Sequence, residues 1–187
     1  DGRIRRGPSP SRHPPAGAPA ARPVHGGDDA ARAAGETLGP LAGVPVGIKD
    51  LVATKDLVTA MGSTIYRDFV PEDDDIVVER LKAAGAVILG KTNVPPMLAD
   101  WMSNNPVYGR TNNPYDVKRT PGGSSGGEGA LIGAGASPFG VGSDIGGSIR
   151  MPAFFNGVFG HKPTGGMNPN TGQYPTMTTK LGNRYLT

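Results

Sequence analysis

The chain of 187 residues contains no cysteine, which excludes a disulfide framework, a cysteine nucleophile and a thiolate metal site. Histidine is nearly as scarce: His13, His25 and His161 lie far apart and in no metal-ligand spacing. No apolar run approaches the roughly 18 residues of a membrane-spanning helix, and the start lacks the apolar centre of a signal peptide. The resulting expectation is a cytoplasmic protein with no membrane segment in this chain. Charge of one sign is also missing. The net charge is +3, and residues 1–36 carry six arginines against Asp1, Asp28, Asp29 and Glu36, so most of the excess sits there. The remainder has no clustered basic face for nucleic acid.

What the chain has in excess is glycine and proline, 30 and 19 residues. That is well above average usage and points to many turns and close backbone approaches, and to disorder in part. Residues 1–36 are rich in Arg, Pro, Ala and Gly, with Ile4 and Val24 their only large aliphatic side chains. Such a segment buries too little apolar surface to offset its ordering entropy, and it reads as a disordered, low-complexity tail. Residues 37–187 read as the structured part.

There, Gly43 to Val52 is a short apolar run with Lys49 near its middle, and it reads as a strand. A lysine in such a run is either an edge residue reaching solvent or a desolvated amine with a lowered pKa, available as a base. Asp73, Asp74 and Asp75 precede Ile76, Val77, Arg80, Leu81 and Ala84, a helix start with one apolar face, and Gly85 is its natural stop. Ala86–Leu89 reads as a buried strand, which completes a helix–strand unit of the α/β type.

Gly85 to Thr92 also matches the phosphate-loop pattern G-x-x-x-x-G-K-[ST]. That loop must follow a strand and open a helix. Here the middle residues are themselves the strand, and Pro95 and Pro96 would break the first turns of the required helix, so nucleotide binding is rejected. Met97–Met102 reads as a short apolar helix, and 103–121 as a surface loop rich in Asn and Pro.

The most informative stretch runs from Thr120 to Thr164. It holds two Gly-Gly-Ser elbows, Gly122-Gly123-Ser124 and Gly146-Gly147-Ser148. Glycine before serine permits a sharp turn that leaves the hydroxyl and neighbouring N–H groups open to a ligand. A small-residue helix follows the first elbow, Phe139–Gly142 is a short strand feeding the second, and Pro152 fits the first turn of the next helix. Asp144 and Arg150 flank Ser148, which no flexible linker would require.

These motifs, from Leu41 to Thr164, resemble the amidase signature family of serine hydrolases. The similarity lies in G-V-P-V-G-I-K-D, A-A-G-A-V-I-L-G-K-T-N, N-N-P-Y-D, P-G-G-S-S-G-G, G-S-D-I-G-G-S-I-R-M-P-A and G-H-K-P-T, in that order. The G-G-S-S-G-G-E-G and S-D-I-G-G-S-I-R stretches are similar to the fatty-acid amide hydrolase branch and to bacterial amidases. The resemblance implies an α/β fold with a mixed central sheet flanked by helices. It also implies a domain more than twice this long, so that 37–187 would be the N-terminal half of a truncated catalytic domain, inactive alone.

By motif, the resemblance makes Ser148 the nucleophile, Ser124 a bridging serine with a cis Gly123–Ser124 peptide, and Lys49 the ultimate base. It places the oxyanion hole at the N–H groups of Ile145, Gly146, Gly147 and Ser148, with Ser125, Asp144 and Arg150 holding these loops. It implies a small-molecule amide substrate, no metal and no organic cofactor, and it leaves room for a homo-oligomer. Asp56 stands where many members have a turn glycine, His161 where leucine is frequent, and Pro96 where an acidic residue is common. The last of these argues against the tRNA-dependent amidotransferase branch of the family.

The chemistry is coherent on its own terms. A serine hydroxyl needs a base within hydrogen-bond reach, and without a suitable histidine a neutral lysine is the best one left. The expected function is hydrolysis of a carboxylic amide, a fatty-acid amide among the candidates, through an acyl-serine. The alternative is a non-catalytic or partner-dependent amidotransferase-type subunit, or an inactive fragment.

Overall fold

The computed structural model describes residues 30 and 32–169, so the expectation of a disordered tail falls almost wholly outside them. Three strands form a parallel sheet in the order β2-β1-β5: β1 is Pro45–Lys49, β2 is Val87–Thr92 and β5 is Phe139–Val141. A separate antiparallel ribbon pairs β3, Asn104–Asn105, with β4, Gly109–Arg110. Three α-helices lie wholly within the described residues: α1 (Ile76–Ala83), α2 (Gly126–Gly133) and α3 (Arg150–Asn156).

Alternation along β1 sorts its side chains between two layers. Val46 and Ile48 are fully buried and join Val78 of α1, Ile88 of β2 and Val141 of β5 in the hydrophobic core. Gly47 and Lys49 point to the opposite face, where α2 packs: a Cβ on Gly47 would meet the side chains of Glu128 and Leu131. The arrangement is α/β, with helices on both faces of the sheet.

Local chemistry fixes the helix ends. The Asp75 carboxylate accepts from Val77 N and caps α1, as its acidic run suggests. Gly85 follows at φ +87°, and Ala86 N returns to Leu81 O, which closes the helix in a Schellman turn. Because the strand β2 continues through Lys91 and Thr92 and is followed only by a 3₁₀ turn at Pro96–Leu98, no helix opens after the phosphate-loop lookalike.

Three expectations need correction. β1 is shorter than the apolar run, because Asp50 ends it by turning its carboxylate onto Ala60 N and Gly62 N. The helix expected at Met97–Met102 is only the 3₁₀ turn, with Met97 and Leu98 at φ +49° and +63° and Trp101 and Met102 outside it. Leu89 is exposed, because the register with β1 shifts there: Val46 pairs with Ile88 and Gly47 with Gly90, which leaves Leu89 as the unpaired residue of a bulge.

Candidate active site

Lys49 ends the central strand and is 0% exposed, so the edge-lysine alternative does not hold. Its Nζ donates to Ser124 Oγ at 2.7 Å, to Ser143 Oγ at 2.8 Å and to Ser143 O at 3.3 Å. Burial lowers the Lys49 pKa to about 7, against the opposing attraction of Asp144 and Glu128. The amine is thus poised to lose its proton near neutrality.

Ser124 is buried at the first elbow, and the Gly123–Ser124 peptide is cis. Gly123 has no room for a side chain: a Cβ there would lie 2.7 Å from the carbonyl carbon of Trp101. Ser103 Oγ donates to Gly122 O and accepts from Gly126 N, which pins both sides of the elbow. The two elbows are tied together through Ser125. Its N–H donates to Ser148 O at 3.1 Å, and its Oγ exchanges hydrogen bonds with Ser143 O and N.

The second elbow is wrapped around the buried carboxylate of Asp144. Oδ1 accepts from Gly147 N and Arg150 Nη2, both at 2.8 Å, and Oδ2 accepts from Ile149 N, Arg150 N and Arg150 Nε. Burial alone would raise this carboxyl's pKa, but the Arg150 guanidinium and the three backbone donors hold it well below the usual carboxylate range. Asp144 therefore stays ionised and shapes the loop.

Ser148 lines an open cavity of about 450 Å³ together with Ser124, Ser143, Ile145 and Gly146, and with Leu98, Asp100 and Trp101 from the segment after β2. No hydrogen bond joins the Ser148 and Ser124 hydroxyls. Of the four candidate oxyanion donors, Gly147 N is taken by Asp144, whereas the N–H groups of Ile145, Gly146 and Ser148 donate to no described residue. The structure thus gathers Lys49, Ser124, Ser125, Asp144, Ser148 and Arg150 in one place. Sequence reasoning missed Ser143, which touches Lys49 as closely as Ser124 does. It lies directly before Asp144, two residues beyond the end of β5, and only the pairing of β5 with β1 brings it beside the lysine, so nothing in its flanking residues marks it. Asp56, in the place of a turn glycine, adopts a left-handed φ of +65°, and His161 lies exposed outside this cavity.

Comparison with known proteins bears on what such a site does. The family described as amidase matches residues 24–182. The chain is 51% identical over 136 residues to fatty-acid amide hydrolase 2 of Homo sapiens, covering 73% of this chain and 26% of that protein. It is 53% identical over 132 residues to a glutamyl-tRNA(Gln) amidotransferase subunit of Methanococcoides burtonii, covering 71% and 28%. The crystal structure of peptide amidase from Stenotrophomonas maltophilia superposes with a TM-score of 0.74 at 37% identity, covering 79% of this chain and 31% of that one. This chain therefore spans roughly a quarter to a third of such relatives. Near-equal identity to a hydrolase and to a transferase component removes the discriminating weight placed on Pro96.

Proposed function

Because the chain belongs to the amidase family, we propose that the protein carrying it cleaves a carboxylic amide through an acyl-serine, with Ser148 as nucleophile, Ser124 as relay and Lys49 as base. The observation that carries this reading is the fully buried Lys49 amine in direct contact with Ser124. An ammonium placed there without a carboxylate at hydrogen-bond distance is poorly solvated, which favours the neutral amine that a base must be.

The steps follow from the hydrogen-bond chain. With Lys49 neutral, the Ser124 hydroxyl turns its proton onto Nζ while its oxygen receives the proton leaving Ser148 Oγ. Ser148 attacks the amide carbon, and charge develops on the carbonyl oxygen. The unengaged N–H groups of Ile145, Gly146 and Ser148 are the donors for that oxygen, where one such donor typically contributes about 100- to 1,000-fold in rate. Lys49 then returns its proton through Ser124 to the departing amine, the C–N bond breaks, and the acyl group stays on Ser148. Water repeats the sequence and releases the acid. The missing Ser124–Ser148 hydrogen bond is compatible with this, since catalytic hydrogen bonds often close only when substrate is bound. No step calls for a metal or an organic cofactor.

The second reading is a transferase-type subunit, in which ammonia freed from an amide passes to an acceptor; the identity to the amidotransferase component favours it. The apolar rim formed by Leu98, Trp101 and Ile145 supports an amide with an apolar acyl or amine part, a fatty-acid amide being one case. The test is turnover of primary amides graded in acyl length, with free acid and ammonia measured in the wild type and in Ser148→Ala. Equal release of acid and ammonia without any acceptor, abolished in the variant, is the expected result. Release that requires both an acceptor and a protein partner would favour the transferase.

A further inference from the structure

Glu128 enters no step above, yet it sits beside the base. It lies in the first turn of α2 and is 4% exposed. Its Oε1 accepts from Thr92 Oγ1 at 2.7 Å, and its Oε2 has no hydrogen-bond partner. Room for the carboxylate exists only because two register partners are both glycine, Gly47 on β1 and Gly140 on β5. A Cβ on Gly140 would fall 2.0 Å from Oε2, and one on Gly47 would fall 2.7 Å from it. Gly47 and Lys49 are two residues apart on one strand and so share a face. Thr92, which holds the carboxylate, is the register partner of Lys49 on β2. The carboxylate thus rests on bare backbone alongside the lysine.

We propose that Glu128 is a positioning residue acting through Lys49: held by Thr92 in this glycine-floored recess, it supplies the countercharge that keeps the buried amine basic enough to take the Ser124 proton. The inference rests on the role given to Lys49 above. The charged groups facing Lys49 are Asp144 and Glu128, and those facing Glu128 are Lys49 and Lys91. Asp144 is already committed to Arg150 and three backbone N–H groups. Lys91 donates to Val52 O and Thr54 Oγ1 and is also faced by Asp50, Asp75 and Asp74. Glu128 is therefore the facing carboxyl that no cation holds by a hydrogen bond. Burial raises its pKa, opposed by the Thr92 hydroxyl and the two lysines, which favour the ionised form beside the protonated amine. Without the carboxylate, the amine keeps its desolvation but loses part of its compensation, and it holds its proton less tightly.

The test titrates Lys49 in the active protein that carries this chain, with lysine labelled with carbon-13 at Cε and the signal identified by its loss in Lys49→Arg. Glu128→Gln preserves the shape and removes the charge. We expect the Lys49 midpoint to move to lower pH, by about tenfold in proton affinity. The acid limb of kcat/KM should move with it, while the plateau falls about threefold as the base weakens. Thr92→Val removes the hydrogen bond that favours the ionised carboxyl, so it should move both midpoints the same way by a smaller amount, and it decides the matter if Glu128→Gln does not fold. A Lys49 midpoint that stays put in both variants overturns the proposal, even if activity drops. A midpoint that moves while the rate profile does not would instead overturn Lys49 as the base, which separates failure of the functional reading from failure of the coupling.

Discussion

Lys49 Nζ lies 2.7 Å from Ser124 Oγ across 75 positions of sequence, and neither residue has appreciable contact with solvent. The contact joins the end of the central strand to the turn that opens α2. It needs two things at once: a lysine on the α2 face of β1, and an elbow tight enough to bring a serine down onto that strand. Everything proposed about catalysis depends on that meeting.

The base role predicts a pH signature. Lys49→Ala should lower the amide turnover rate by about 100- to 10,000-fold at neutral pH, the range typical of a lost general base. The residual rate should rise with pH as hydroxide takes over. In the wild type, kcat/KM should rise through pH 7, where burial places the amine's midpoint, because only the neutral amine accepts a proton. A pH–rate series on both proteins checks this.

The same lysine should cost stability. Its folded pKa of about 7 lies below the ordinary lysine value of 10.5, so between those two pH values the unfolded chain binds more protons than the folded one. Wild-type stability therefore rises with pH across that window and is lowest at and below neutrality. Lys49→Met should melt higher than the wild type at pH 7, with the difference shrinking toward pH 10. Thermal melts at the two pH values read the sign directly.

Asp144 should be needed for the loop rather than for proton transfer. Asp144→Ala removes the acceptor for three backbone N–H groups and for Arg150, and an unsatisfied buried donor costs about 1–3 kcal/mol. Its folded pKa is depressed, so its stabilisation is present above the unfolded carboxylate pKa and is lost as pH falls through the folded value. The variant should be clearly less stable at pH 7, with the gap closing toward strong acid, which denaturant titrations at several pH values would show.

Gly127 offers a test of packing. Alanine for glycine inside an exposed helix ordinarily gains up to about 1 kcal/mol. Here a Cβ on Gly127 would lie 2.3 Å from Asn93 N, a backbone atom that no rotamer change can move aside. Gly127→Ala should therefore destabilise by about 1–3 kcal/mol or more in equilibrium unfolding.

Much of the site was legible in the sequence, because its parts are local. Glycine before Ser124 and Ser148 announces each elbow, and Asp144 lies within six residues of the groups it binds. The α1 cap and stop are likewise written in Asp75 and Gly85. What could not be read depends on strand register. Ser143 and Glu128 become neighbours of Lys49 only once β5 and α2 are placed against β1, and their own flanking residues carry no sign of it. Met97–Met102 has an apolar composition that suits a helix, but Met97 N is held by Met61 O and the chain turns through left-handed backbone instead.

The most direct measurement is covalent capture of the nucleophile. A fluorophosphonate reacts with a serine whose proton can be taken up by a neighbouring base, so the active protein carrying this chain should be labelled once, and peptide mass spectrometry should place the adduct on Ser148. Labelling should slow by orders of magnitude in Lys49→Ala and vanish in Ser148→Ala, although that variant still folds. Persistent labelling of Ser148→Ala, or an adduct on Ser124 or Ser143 in the wild type, would contradict the account.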